Sequence, residues 1–168
     1  RGMSVADNVI TGLSRLSRVG ALEEALRLLR ARAEARAFRR RAALVLDQLD
    51  LTRHARTPVG ALPYGLQKRV ELARALVAMP RLLLLDEPLA GMNRDEKQEI
   101  AALIARLNAD LGLTIVLIEH DIGVVLRLAH HVVVLDYGRK LADGPPETIR
   151  DNPDVIAAYL GAAAAEAA

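Results

Sequence analysis

The strongest limit on the fold comes from a run of four leucines, Leu82 to Leu85, followed by Asp86, Glu87 and Pro88. The run is too short to span a membrane and too uniformly apolar for a half-exposed strand. It therefore predicts a strand buried on both faces of a parallel sheet. Pro88 cannot continue a central strand, so the strand is expected to end there. Because open α/β sheets bind ligands beyond the carboxyl ends of their strands, the Asp-Glu pair is a candidate site, although a strand that enters an ordinary polar loop is the alternative.

The composition narrows the possible classes of protein. The chain has 168 residues, 52% of them hydrophobic, which suits one globular domain with a core. It has no cysteine, which excludes disulfides and thiol chemistry, and it shows no basic-then-apolar leader, so a reducing cytoplasmic setting is expected. Tryptophan is absent and phenylalanine occurs once, so a base-stacking surface for single-stranded nucleic acid is not expected. The chain begins at Arg1 rather than at a methionine, which suggests a true start further upstream.

The first third of the chain has helical patterns. Ser4 is a good N-cap for a first helix that ends near Gly12. Between residues 21 and 51 apolar side chains recur on two helical stripes, which fit two helices or one bent helix: Leu22, Leu26 and Leu29, then Phe38, Ala42, Val45 and Leu49. A basic face lies partly opposite the second stripe, and it is either a solvated surface or a surface for acidic partner loops or anionic lipid headgroups: Arg36, Arg39, Arg40 and Arg41.

A turn containing Pro63 and Gly65 leads directly into a helix with apolar side chains at Val70, Ala73 and Val77. Such a turn points backbone N–H groups and the positive end of the helix dipole outward, which suits a phosphate, although an ordinary loop-to-helix junction is the alternative. Only residues 79 and 80 separate this helix from the leucine strand. The turn and the acid pair are therefore expected in one packed unit.

The residues after Pro88 predict a strand-helix-strand unit. Asn93 and Glu96 have the spacing of a capping box, and Gly112 is placed to end the helix. A second apolar strand over residues 113–118 then implies a right-handed parallel crossover. It is followed by Glu119, His120 and Asp121, and because parallel strands end at the same edge, we expect His120 to face the site of the acid pair. A purely structural histidine is the alternative.

The last part of the chain predicts smaller elements. A short helix covers residues 122–129, a third strand covers 132–135, and a hairpin turn over 136–139 leads into a strand over 140–142. Two small helices follow, one opening at residues 144–147 and one over 153–160. The alanine-rich tail over residues 161–168 is expected to fray.

Four of these segments, in this order and spacing, resemble the ATP-binding subunit of ABC transporters. They correspond to the signature motif (residues 62–67), the Walker B strand (81–88), the D-loop (90–93) and the switch histidine (119–121) of that family. The Leu-Pro-Tyr-Gly form of the signature and the ending over residues 152–161 resemble the branched-chain amino acid importer branch. Lipopolysaccharide-export ATPases are similar in the tail.

The resemblance implies an α/β fold. The chain would form the C-terminal part of a P-loop NTPase domain, with the parallel sheet of a RecA-like core, plus an α-helical subdomain. Three parts follow from it: a helical subdomain with the signature motif over residues 1–79, a portion of the core with the Walker B strand, D-loop and switch histidine over 80–145, and C-terminal helices and tail over 146–168.

The resemblance also implies roles for individual residues, with ATP and Mg²⁺ as cofactors. Asp86 would hold Mg²⁺ through water, Glu87 would orient or deprotonate the attacking water, and His120 would contact the γ-phosphate. The signature residues would act in trans on ATP bound to a second subunit: Pro63, Tyr64, Gly65, Leu66 and Gln67. The D-loop residues would run along the seam of that dimer: Ala90, Gly91, Met92 and Asn93.

The sequence departs from the family pattern at four positions. Pro63 stands where the signature usually has serine, so a hydroxyl contact to the γ-phosphate is missing. Tyr64 and Leu66 replace a glycine and a glutamine, and Asn93 replaces the usual D-loop aspartate, which removes a charge at the seam. These departures bear most on the role of the turn in the signature motif, residues 62–67, which is called the signature turn below.

The P-loop of the family is not present in these residues. None of the three lysines, Lys68, Lys97 and Lys140, lies in a glycine-rich turn. The P-loop amides and lysine supply the main grip on the β- and γ-phosphates, and its hydroxyl helps to hold Mg²⁺. The 168 residues alone are therefore expected neither to bind ATP tightly nor to hydrolyse it.

The expected function is that of the ATP-hydrolysing subunit of an ABC importer for branched-chain or related amino acids. The expected partners are a second ATP-binding subunit and transmembrane permease subunits, with the basic helices near residues 21–50 docking on permease loops, and no nucleic acid. The protein would lie on the cytoplasmic face of the inner membrane. Alternatives are the ATPase subunit of a lipopolysaccharide-export system, a non-catalytic binding or structural remnant, and a soluble family member of repair or translation, for which the expected second cassette or long insertions are missing.

Overall fold

The computed structural model describes residues 2–17 and 29–160. The chain divides into two compact units, Arg1–Leu117 and Ile118–Ala168, and each is described by itself. The predicted functional boundaries after residues 79 and 145 stay a prediction.

Among the described residues of the first unit, three helices pack on one another: α1 (Val5–Thr11), α2 (Leu29–Gln48) and α3 (Tyr64–Leu76). Short 3₁₀ turns lie at Ser14–Leu16, Thr52–His54 and Val59–Ala61. Many apolar side chains of this region are almost fully buried, and burial of each aliphatic side chain contributes roughly 1.5–3 kcal/mol. The most deeply buried of them are Val5, Val9, Leu13, Leu49, Leu51, Val70, Ala73 and Val77.

Helix α1 begins where the sequence predicts. The Ser4 hydroxyl accepts the N–H of Asp7 at 3.2 Å. Two further N–H groups of the first turn, those of Val5 and Ala6, donate to the carbonyls of Thr57 and Ala55 at 3.0 and 2.9 Å. Since the first turn of a helix has no intrahelical acceptors, these bonds join α1 to the segment before α3.

Helix α2 confirms the second apolar stripe, because Ala42, Val45 and Leu49 are buried, whereas Phe38 is only partly covered. Of the first stripe, Leu29 is 82% exposed, and Leu22 and Leu26 lie outside the described residues. The helix ends at Gln48, and Asp50 in the turn that follows has a left-handed φ of 57°. The N–H of Leu51 closes the end by donating to the carbonyl of Leu46 at 2.7 Å.

A strand-helix-strand unit follows: β1 (Leu82–Asp86), α4 (Arg94–Leu111) and β2 (Thr114–Ile118). The strands pair with each other, and the N–H of Thr114 donates to the carbonyl of Arg81 at 3.2 Å, so their beginnings are adjacent and the predicted parallel sheet is confirmed. The capping box is also confirmed, because Asn93 and Glu96 exchange hydrogen bonds of 3.0 and 3.1 Å. Gly112 caps the end of this helix with a left-handed φ of 58°.

The prediction that the leucine strand is buried on both faces is wrong for this chain. Leu83 is 5% exposed, but Leu82 and Leu84 are 50% and 69% exposed, and Val116 of β2 is 48% exposed. Successive side chains of a strand point to opposite faces, so the covered face is the one that carries Leu83. None of the elements described covers the opposite face of β1 and β2.

A cluster of ion pairs joins the end of α2 to the sides of α3 and α4. The Arg69 guanidinium lies 2.9 Å from Glu99 and 3.7 Å from Asp50, and Arg106 lies 3.4 Å from the same Asp50 carboxylate. Arg106 also donates to the carbonyl of Gln48 at 2.9 Å. Because Asp50 and Glu99 are exposed, each pair contributes less than about 1 kcal/mol, and their main effect is to orient α2, α3 and α4 at this corner.

The second unit is an antiparallel ribbon covered by short helices. Its elements are α5 (Ile122–Leu128), β3 (Val132–Asp136), β4 (Arg139–Gly144), α6 (Pro146–Arg150), α7 (Pro153–Val155) and a π-helical turn over Ile156–Leu160. The hairpin prediction is confirmed, with φ values of 44° and 75° at Tyr137 and Gly138. Its small core consists of Val132, Val134, Ile149 and Val155. The predicted fraying over residues 161–168 falls outside the described residues.

Within the residues that the structure describes, the search for a helix of sufficient length and apolarity to cross a bilayer finds none.

Candidate functional site

Strand β1 delivers Asp86 and Glu87 at its carboxyl end, where both residues are exposed. Glu87 adopts a left-handed backbone with φ 44°, an unusual conformation for a residue with a Cβ atom. The N–H of Ala90 donates to the carbonyl of Glu87 at 3.1 Å, and that of Met92 donates to the carbonyl of Leu89 at 3.3 Å. Leu89 is buried, so the loop that follows the acid pair is a compact turn with an apolar anchor.

The signature turn forms the beginning of α3. Pro63 occupies the N-cap position, and no side chain caps this end of the helix. The Gln67 side-chain amide donates to the carbonyl of Leu62 at 2.8 Å, and the Gln67 N–H donates to the carbonyl of Pro63 at 3.0 Å. The turn is therefore fixed by its own glutamine, while the first turn of the helix keeps N–H groups that suit an anion.

The signature turn and the D-loop contact each other through Tyr64. The Tyr64 hydroxyl donates to the carbonyl of Ala90 at 3.1 Å. Its ring lies over Gly91, where a Cβ atom would come within 3.4 Å of the hydroxyl oxygen. On the other side of the turn, a Cβ atom at Gly65 would lie 3.5 Å from the Glu96 carboxylate of the capping box. The prediction that the turn and the acid pair belong to one packed unit is confirmed.

One basic side chain lies beside this contact. The Lys68 ammonium is 5.6 Å from the centre of the Tyr64 ring and 3.0 Å from the Glu71 carboxylate. Partial burial disfavours the ammonium, but the hydrogen bond and charge of Glu71, with a smaller effect of Tyr64, outweigh burial and raise the pKa of Lys68. Lys68 is therefore charged at neutral pH and stabilises the ring from one side.

His120 belongs to the second unit. Its side chain is 67% exposed, and its Nδ1 atom lies 3.9 Å from the Glu119 carboxylate. The next residue, Asp121, caps α5 by accepting the N–H of Val124 at 3.2 Å. The polar residues after β2 are thus placed at a helix beginning, and the predicted convergence of His120 with Glu87 stays a prediction.

The described residues include no group of three or more histidine, aspartate or glutamate side chains arranged to hold a metal ion. Mg²⁺ is commonly held by one or two carboxylates together with water and substrate phosphates. Asp86, a single exposed carboxylate at the strand end, fits such a shared site rather than a cage made by the protein alone. The uncapped beginning of α3 fits a phosphate, so the residues present suit a nucleotide with its magnesium ion.

Two features of the first unit were not predicted from the sequence. The first is the bond from Tyr64 to Ala90, and the second is the ion-pair cluster around Asp50. Both join residues far apart in the chain, so periodicity and capping patterns carry no signal of them. A cavity of about 200 Å³ lies beside the cluster and contains none of the predicted site residues; its lining is Asp47, Gln48, Asp50, Arg106, Leu107, Asp110 and Leu111.

Two curated relatives share a substantial part of the sequence. The chain is 50% identical over 118 residues to the high-affinity branched-chain amino acid transport ATP-binding protein BraF of Pseudomonas aeruginosa, covering 70% of this chain and 46% of BraF. It is 47% identical over 123 residues to LivG of Escherichia coli strain K12, which carries the same description, covering 73% of this chain and 48% of LivG. The chain thus spans just under half the length of these relatives.

A solved structure shares the fold. The ADP conformation of MJ1267, described as an ATP-binding cassette of an ABC transporter, superposes with a TM-score of 0.76 at 26% identity, covering 95% of this chain and 63% of that one. Two family models also match the sequence. Residues 139–165 match the branched-chain amino acid ATP-binding cassette transporter model, and residues 2–90 match the ABC transporter model. With the α/β fold, the parallel strand pair and these matches, the chain belongs to the ABC transporter family.

Proposed function

We propose that this chain is part of the ATP-binding and ATP-hydrolysing subunit of an ABC importer for branched-chain amino acids. The observation that carries the proposal is the acid pair at the end of β1, packed in one unit with the uncapped beginning of α3. The substrate class is supported by the names of BraF and LivG and by the match of residues 139–165. These relatives are named for amino-acid transport and do not favour the lipopolysaccharide-export alternative.

Phosphoryl transfer depends mainly on positioning and on stabilisation of charge. In the proposed mechanism, Glu87 orients or deprotonates the attacking water, and His120 contacts the γ-phosphate. Asp86 would hold Mg²⁺ through water, and the ion would supply charge stabilisation for the phosphate oxygens. The left-handed backbone conformation of Glu87 turns the chain away from the strand direction, which supports a role for this residue beyond the end of the sheet.

The signature turn acts, in this proposal, on ATP held by a second ATP-binding subunit. Pro63 supplies no hydroxyl group and Leu66 supplies no amide, so the contact depends on backbone N–H groups at the beginning of α3 and on the helix dipole. The D-loop, held against Tyr64, would line the seam between the subunits. Hydrolysis would then require a head-to-tail dimer, in which each subunit completes the site of the other.

The permease is the second proposed partner, and contact with it would place the protein at the cytoplasmic face of the inner membrane. Support comes from the basic face of α2, where four arginines are exposed and make no ion pair within residues 2–17 and 29–160: Arg36, Arg39, Arg40 and Arg41. This face suits acidic loops of a permease through long-range attraction, which is screened by salt.

The P-loop is proposed to lie in a part of the full-length protein outside these 168 residues. The motif is not found within this sequence, and the relatives are about twice as long as the segment matched. Strands and helices of that other part would also cover the exposed face of β1 and β2, where Leu82 and Leu84 lie. The 168 residues alone would then have no tight grip on the β- and γ-phosphates.

The test compares two proteins, the 168-residue chain and the full-length protein that contains it. Equilibrium dialysis with Mg-ATP should show tight binding only by the full-length protein. In that protein, Glu87→Gln should lower ATP turnover by roughly 10²- to 10⁴-fold while ATP binding is retained, because the carboxylate acts on water rather than on the nucleotide. Glu147→Gln is the matched control, since it removes the same charge from an exposed position in the second unit.

Unchanged turnover in the Glu87 variant would remove this residue from its proposed role, and micromolar ATP binding by the 168 residues would overturn the P-loop argument. The substrate is tested separately in vesicles that contain the complete transporter. Leucine, supplied with its binding protein outside, should stimulate ATP hydrolysis inside. A lack of stimulation by leucine, isoleucine and valine would exclude the proposed substrate class.

A further inference from the structure

We propose that Tyr64 is a positioning residue for Glu87, acting through the peptide groups of Ala90. The inference rests on the proposed function and deepens it, because it names a side chain that sets the geometry of the attacking-water site. Tyr64 is part of the signature turn, which is proposed to serve the nucleotide of the partner subunit. Its contact with the D-loop therefore joins two groups that would work on different ATP molecules.

The backbone of Ala90 is held at both ends. Its N–H donates to the carbonyl of Glu87 at 3.1 Å, and its carbonyl accepts the Tyr64 hydroxyl at 3.1 Å. Glu87 itself has a left-handed φ of 44°, a conformation that costs a residue with a Cβ atom some free energy and persists only when its surroundings enforce it. Two consecutive hydrogen bonds therefore connect the Tyr64 hydroxyl with the strained residue.

Contacts other than the hydroxyl bond also fix the Tyr64 ring. It lies over Gly91, whose φ of 75° and lack of a side chain allow the ring to approach. The charged Lys68 ammonium lies 5.6 Å from the ring centre and is itself held by Glu71 at 3.0 Å. A tyrosine held in this way loses little conformational freedom on bonding to Ala90, so its hydroxyl can define the position of the turn.

The remaining part of the D-loop is fixed from the other side by an independent device. The capping box of Asn93 and Glu96 holds the beginning of α4, and Leu89 is buried. The carbonyl of Ala90 lies between these two anchors and accepts the hydrogen bond of the Tyr64 hydroxyl. Since Tyr64 stands where the family signature usually has glycine, the hydroxyl contact is a feature of this variant of the motif.

The test uses the full-length protein and Tyr64→Phe, which removes the hydroxyl and keeps the ring. The net value of one hydrogen bond predicts a fall in kcat for ATP of roughly 2- to 10-fold, with the KM for ATP unchanged. Amide hydrogen exchange of residues 89–92, measured without nucleotide, should accelerate by a similar factor. Tyr137→Phe is the matched control, because Tyr137 is 100% exposed and loses the same hydroxyl. Tyr64→Leu, which also removes the ring from Gly91, should lower kcat further.

A purely structural role would lower thermal stability without separating kcat from KM, so melting temperatures are measured for all three variants. Unchanged kcat in Tyr64→Phe overturns the inference, whether or not exchange of the loop accelerates. Equal effects of Tyr64→Phe and Tyr137→Phe also overturn it. A wild-type protein that does not hydrolyse ATP overturns the proposed function instead, and the exchange measurement then decides whether the hydroxyl holds the loop.

Discussion

Gly12 provides a strong test of how the helix that carries the signature turn is held in place. It lies at the end of α1 with φ −61°, so its backbone conformation is available to any residue. A Cβ atom there would lie 2.0 Å from the carbonyl oxygen of Arg74 and 2.8 Å from a methyl group of Val77. Backbone of α3 cannot move as a flexible side chain would, so the two helices must separate by about 1 Å or more in Gly12→Ala.

Two opposing effects set the expected result. Alanine restricts the unfolded chain and stabilises the fold by about 0.4–1 kcal/mol, whereas overpacking costs about 1–3 kcal/mol, with backbone clashes at the upper end. The clash prevails, so the free energy of unfolding falls by about 2 kcal/mol. This is equivalent to a fall in Tm of roughly 4–8 °C for a chain of this size. The measurement is thermal unfolding followed by far-ultraviolet circular dichroism.

Gly2→Ala is the matched control, because nothing lies within 4 Å of a Cβ atom at that position. It should melt at or slightly above the wild-type temperature. If Gly12→Ala were as stable as the control, the close approach of α1 to α3 would not exist, and the argument that this contact positions the signature turn would be refuted.

Two further predictions concern the D-loop and the ribbon of the second unit. Asn93→Ala should lower stability by about 1 kcal/mol, because it removes the cap that bonds to Glu96, whereas Asn93→Asp should retain it; equal loss in both variants, measured by urea unfolding, would contradict the capping argument. Hydrogen bonds from Lys140 and His131 to Asp143 lower the pKa of this carboxyl group below its ordinary value of 3.8. Since the folded state lowers this pKa, the stabilisation is present above about pH 4 and is lost as the pH falls through the folded value. Wild type should therefore have a higher free energy of unfolding than Asp143→Asn at about pH 6, and the difference should shrink as the pH falls below about 4.

Local chemistry explains which parts of the fold could be predicted. The caps at Ser4 and Asn93, the left-handed end at Gly112 and the hairpin turn at Tyr137 depend on residues within a few positions of one another. The sequence therefore contains the whole signal for these elements. The apolar run of β1 was likewise correctly predicted as a strand, and its acid pair does lie at the carboxyl end.

The burial of β1 and the contacts of the candidate site could not be predicted in the same way. Whether Leu84 is covered depends on elements remote in the chain, and the local pattern of four leucines does not contain that information. The bond from Tyr64 to Ala90 spans 26 positions, and the pair of Asp50 with Arg106 spans 56. Neither has a periodic or capping signature. The relation of His120 to Glu87 stays a prediction that the site residues motivate.

The left-handed backbone at Glu87 has a consequence for protein engineering. Glycine at position 87 would relieve about 1 kcal/mol of steric strain and would lose the carboxylate at the same time. Selection for thermostability alone would therefore favour the replacement that removes the proposed base. At this position the requirements of a robust fold and of a working enzyme oppose each other, which marks residue 87 as one to hold constant in any stabilisation library.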